Sequence, residues 1–103
     1  MNKFTVVYVK GRTLGKGLFA RFEPLTGQTM YSVESTSRAS AYVKAYRHLE
    51  KFGLGIFAMK DDDGNGNPLG FSDEEMKLVQ DAEINFDSRP RNGFRIEKII
   101  WEK

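Results

Sequence analysis

A chain of 103 residues has room for one hydrophobic core that buries roughly two-thirds of the unfolded surface, and no room for a second. With no cysteine, a disulfide framework, a thiolate zinc site and a thiol nucleophile are all excluded, which fits a reducing compartment. The net charge of +2 conceals an asymmetry: residues 1–60 carry ten Lys/Arg against three Glu, or +7, and residues 61–103 carry six against eleven acids, or −5. Such a chain is an electrostatic dipole unless folding interleaves its halves.

The opening MNKFTVVYVKGR has one lysine before a short apolar run, so it reads as neither a signal peptide nor a membrane span, and a cytoplasmic protein is expected. Lys3 to Lys10 is rich in β-branched and aromatic residues and reads as a central strand buried on both faces. Gly11 to Gly17, with three glycines and two cations, reads as a turn. Its spacing matches neither a P-loop nor a dinucleotide fingerprint, so a hairpin turn is expected there in preference to a phosphate cradle.

Leu18 to Glu23 and Gln28 to Glu34 alternate as strands on either side of a Pro24 to Gly27 turn, which predicts a three-strand antiparallel meander. Ser37 to Phe52 has the clearest helical period. Ala39, Tyr42, Tyr46 and Leu49 form its apolar stripe, Ser40, Lys44, Arg47 and Lys51 lie on the far side, and Gly53 closes it. Leu54 to Lys60 reads as a short buried strand and Asp61 to Gly70 as loop. Ser72 with Glu75 is a capping box opening a second helix that ends near Glu83, with Met76, Val79 and Leu78 as its inward candidates. Asn85 to Gly93 reads as an exposed connection, and Phe94 to Glu102 as a final strand with Phe94, Ile96, Lys98 and Ile100 on one face. The prediction is one domain spanning residues 1–103, of the α/β class bordering on α+β. Its five-stranded mixed sheet and two helices run in the order β-β-β-α-β-α-β.

Four groups of residues could carry chemistry. Asp61, Asp63, Asn65 and Gly66 fit the first half of an EF-hand-type loop, which would take Ca²⁺ or Mg²⁺. The second half departs from that pattern, with Ser72 where a bidentate Glu belongs and Pro68 at a position usually apolar and β-branched. His48, the only histidine, has no second ligand-type residue at helical spacing and reads as a surface histidine. Lys44, Arg47 and Lys51, to which Arg38 could be added, form a basic stripe that is either a solvated face or a polyanion site. As a site it would draw on Arg12, Lys16 and Arg21, on exposed aromatics, and on a second basic loop at Arg89 and Arg91.

The segments LFARFEPLTGQTMYSVES (Leu18 to Ser35) and TSRASAYVKAYRHLEKFG (Thr36 to Gly53) resemble the paired strands and first helix of the ribonuclease H-like fold. The element order is similar over nearly the whole chain, without that family's closing helix. Its enzymes hold metals on carboxylates from the first strand, the first helix and the end of the fourth strand. Here the corresponding positions are Val9 and Lys10, then Ser40, with only Asp61 and Asp62 retained. The resemblance therefore implies an inactive carboxylate site and a protein that holds a polyanion without cutting it.

The expected function is a non-enzymatic binding protein of the small microbial or phage-encoded kind, needing no cofactor. Nucleic acid would bind through Arg12, Lys16, Arg21, Lys44, Arg47 and Lys51. The alternatives are an inhibitor or adaptor that binds a partner enzyme, and a metal-dependent nuclease or Ca²⁺ module using residues 61–63.

Overall fold

In the computed structural model, residues 1–17, 21–59, 66–87 and 91–102 are described. The elements are β1 (Asn2–Leu14), β2 (Arg21–Pro24), β3 (Thr29–Ser35), α1 (Arg38–Glu50), β4 (Gly55–Phe57), α2 (Asp73–Asp81), β5 (Phe86–Asp87) and β6 (Gly93–Glu102). They build an α+β fold with one open, mixed six-stranded sheet.

β1 runs four residues past the expected strand, because Gly11 to Leu14 continues the ladder and the chain bends at Gly15, which has φ 91. β6 pairs antiparallel along one edge of β1, from Lys3↔Glu102 to Gly11↔Gly93. Along the other edge lie both β3, from Asn2↔Ser35 to Tyr8↔Thr29, and β2, from Gly11↔Pro24 to Leu14↔Arg21. The expected meander is thus a single long hairpin whose return limb is interrupted. Residues 25–28 stand opposite Val9 and Lys10, and the Leu25 N–H still donates to the Lys10 carbonyl at 2.9 Å. A Pro-Leu-Thr-Gly stretch signals departure from regular pairing, and on an edge strand that departure takes the form of a bulge as readily as a reversal.

The sheet is completed by β4, parallel to β6, and β5, parallel to β4. β5 is the strand beyond the five expected, and it lies in the stretch expected to be plain connection. Its two residues pair with Ile56 and Phe57, too short a run to leave a periodic pattern.

α1 packs on one face of the sheet, and α2 packs against α1. Phe4, Val6 and Tyr8 of β1 meet Phe94, Ile96 and Ile99 of β6 and Ala39, Ala41, Tyr42, Ala45 and Leu49 of α1, with Phe71 and Val79 closing the α2 side. The three alanines of α1 are fully buried and let the helix lie close against the strands. Tyr46 and Met76 are half-buried against this core, whereas Leu78 is exposed. In β6 the expected alternation fails at a bulge: Val7 pairs with Lys98 and Tyr8 with Ile96, leaving Glu97 as the extra residue. A one-residue insertion reverses the faces that follow. Ile99 therefore enters the core, and Ile100, expected inside, is 43% exposed.

The predicted capping box is present. The Ser72 hydroxyl accepts from the Glu75 N–H, and the Glu75 carboxylate accepts from the Ser72 N–H at 3.1 Å. Arg38, at the start of α1, donates to the carbonyls of Leu69 and Gly70 and pairs with Glu75 at 3.3 Å, joining the two helix starts. With the Lys3–Glu102 pair at 3.8 Å, this places acids of the second half against cations of the first. The two halves are interleaved, and the dipole read from the sequence is not laid out end to end.

The helix-free face is covered near the hairpin tip by Phe22. A Cβ on Gly11 would run into the Phe22 ring and lie 2.6 Å from the Glu23 carbonyl oxygen, so the ring crosses the sheet where β1 has no side chain. There it meets Phe57 edge-on, centroids 4.8 Å apart, and the Arg95 guanidinium at 4.3 Å. Gly11→Ala is expected to cost about 1–3 kcal/mol by overpacking in urea denaturation, and less in a Phe22→Ala background, where only the carbonyl clash persists.

Burial pushes the Glu75 carboxyl up, but the hydrogen bonds from Ser72 and the Arg38 guanidinium outweigh it, and the group is held below its ordinary value of 4.5. Its contribution to stability is therefore fully present above that value and lost as pH falls through the lower folded value. Glu75→Gln is expected to flatten the acid limb of a stability-versus-pH curve below about pH 4.5. An unchanged limb would show that the pairing contributes nothing.

Candidate nucleic-acid interface

α1 begins at Ser37, whose hydroxyl accepts from the Ser40 N–H at 3.1 Å. The helix ends in a tight turn in which Phe52 N–H donates to the Leu49 carbonyl and Gly53 N–H to the Glu50 carbonyl. Gly53, at φ 75, supplies the left-handed backbone expected of it. Ala39, Tyr42 and Leu49 face inward as expected, and Ala41, Val43 and Ala45 widen the buried arc. Burial pushes the Tyr42 hydroxyl pKa up, so the phenol stays neutral in this core.

What remains outward is the row Lys44, Arg47 and Lys51, with Glu50 beside it, all exposed; the row is spread over roughly 10 Å of helix at ~1.5 Å per residue. Lys44 donates to the Glu34 carbonyl of β3 at 2.7 Å, which tethers the row to that edge of the sheet. Arg47 and Lys51 take part in no ion pair among the described residues. The row lies on the β3 side of α1. On the opposite side the Tyr46 hydroxyl accepts from the Asn85 N–H, just beyond α2, so the acids of α2 and the row occupy different flanks.

Beside the row stands a chain of three rings. His48 is stacked on Tyr31 of β3, with centroids 4.4 Å apart and planes 8° from parallel. Phe52 meets His48 edge-on at 5.4 Å and is itself 68% exposed. Pairs of this geometry contribute about 0.5–1.5 kcal/mol beyond their burial. His48 is thus a packed ring of the cluster and more than an ordinary surface histidine. The sequence contained one trace of the cluster, the four-residue spacing of His48 and Phe52 next to lysine and arginine. The Tyr31 contact required the hairpin register.

The other candidate residues lie elsewhere. Arg12, Lys16 and Arg21 are exposed at the hairpin tip. Arg12 is joined to Glu23 across the β1–β2 pair at 2.9 Å, which offsets its charge. No hydrogen bond or ion pair links these three to the α1 row among the described residues. Arg91 is exposed in the bend before β6. Arg89, and the proposed cation ligands Asp61, Asp63 and Asn65 together with Asp62, lie outside the described residues. Among the described residues no group of three or more His, Cys, Asp or Glu is placed to hold a metal ion, and no helix is long and apolar enough to cross a membrane.

In comparisons with protein-family models, with curated proteins and with solved structures, nothing matches this chain. The ribonuclease H-like resemblance therefore remains a reading of the sequence.

Proposed function

We propose that this protein is a non-enzymatic nucleic-acid-binding module that holds phosphates along the outer face of α1. One observation carries this reading: Lys44, Arg47 and Lys51 stand in a row beside an exposed aromatic ring, on the flank of α1 away from α2. A solvated helix face explains the cations alone, but it gives no reason for a 68% exposed Phe52 held next to them. Arg47 and Lys51 are open to a ligand. Lys44 uses one of its three donors on a neutral carbonyl and keeps its charge. The hairpin tip, with Lys16 and Arg21, is a second exposed basic region that a longer strand could reach.

A protein partner is the second reading. It is favoured by the exposed Met30 and Ile100, 69% and 43% accessible, which lie on the helix-free face around Thr5 and Val7 by the strand register.

Binding to a labelled random oligonucleotide is expected to weaken steeply between low and physiological salt. Lys44/Arg47/Lys51 changed together to alanine should lower the slope of log K against log salt by about 2, at roughly 0.7–0.9 per phosphate lost. A variant with an unchanged slope would remove the phosphates from α1. Absent binding at low salt, with a stoichiometric partner retained through nuclease treatment, would favour the protein partner.

A further inference from the structure

We infer that the nucleic acid held on α1 is single-stranded, with Phe52 as the platform on which one base stacks. This rests on the reading of α1 as a phosphate-binding face and adds to it the form of the ligand. In a duplex the base faces are occupied by their neighbours, and only phosphates, sugars and groove edges are presented. A duplex gives an exposed phenyl ring nothing to bind. A single strand presents π-faces at the level of its phosphates, and base-on-aromatic stacking is the contact single-strand proteins pair with a basic groove.

Phe52 meets that geometry. It follows Lys51 directly, so a base on the ring and a phosphate on the ammonium can belong to neighbouring positions of one strand. Its backbone is fixed by the hydrogen bond to Leu49 and by the turn at Gly53. Its ring is buttressed edge-on by His48, whose own plane is set by the stack on Tyr31. A ring held against one whose own plane is fixed loses less freedom when a base lands on it, which strengthens binding by preorganisation. With the His48 contact made, Phe52 is still 68% exposed.

The test is fluorescence anisotropy at one fixed salt concentration, using single-stranded DNA, single-stranded RNA and duplex DNA of equal length. Wild type, Phe52→Ala and Phe52→Trp are compared. The single strands are expected to bind more tightly than the duplex. Phe52→Ala should weaken the single strands roughly ten- to a hundred-fold without changing the salt slope, and should leave the duplex affinity unchanged. Phe52→Trp should restore single-strand binding and show quenching of its indole emission on titration. Because Phe52 is exposed, both variants are expected to fold, which circular dichroism checks. Duplex binding equal to or tighter than single-strand binding, or single-strand binding indifferent to Phe52→Ala, would overturn the inference while leaving phosphate binding on α1 intact. Binding of none of the three would overturn the phosphate-binding reading and this inference with it.

Discussion

The fold is organised around β1, which pairs with β2 and β3 along one edge and with β6 along the other and is buried on both faces. Its six consecutive residues from Phe4 to Val9 are all buried. Three of them, Phe4, Val6 and Tyr8, receive α1, while Thr5, Val7 and Val9 lie outside that core and form the floor of the helix-free face. Because a strand cannot be doubly paired and doubly buried without near-continuous apolarity, the run TVVYV is the least replaceable stretch of the chain. Gly11 extends the constraint. It lets β1 continue into the hairpin tip while Phe22 crosses over it toward β4 and β6.

The position of α1 follows from that strand. β3 delivers the chain to the Asn2 end of β1, and after a short turn the helix returns over the sheet on its alanine face. Returning this way brings His48 above Tyr31 and Lys44 beside Glu34. The same placement leaves α2 on the other flank, tied on through Arg38. A net charge of only +2 is therefore compatible with a locally basic surface, since Glu102 and Glu75 are drawn into pairs with Lys3 and Arg38, Glu97 pairs with Arg95, and Asp73, Glu74 and Asp81 are carried on α2. The proposed interface needs no long-range field. It needs three cations and a ring, held by contacts that already belong to the fold.

Much of this was legible in the sequence, and the rest was not for specific reasons. Helical period, the Ser72–Glu75 box and the glycine after α1 are local signals with local causes, and each appears where the residues place it. Strand pairing is not local. Pro24 to Gly27 has the composition of a reversal and acts as a bulge, because nothing in four residues specifies which edge the following strand will join. Glu97 is invisible as a bulge until β1 is laid beside β6, and that one residue exchanges Ile99 for Ile100 in the core. The same limit governs the interface. The cations of α1 could be assigned to one face from their spacing, but the ring beneath His48 comes from a strand seventeen positions earlier and depends on the hairpin register.

The most direct measurement of the central claim is a residue-resolved NMR titration with a short single-stranded oligonucleotide at low salt. The proposed interface predicts that the largest amide and aromatic shift changes fall on Tyr31, Lys44, Arg47, His48, Lys51 and Phe52, forming one continuous surface across β3 and the second half of α1. Changes confined to the hairpin tip around Lys16 and Arg21, or to the helix-free face around Met30 and Ile100, would contradict it.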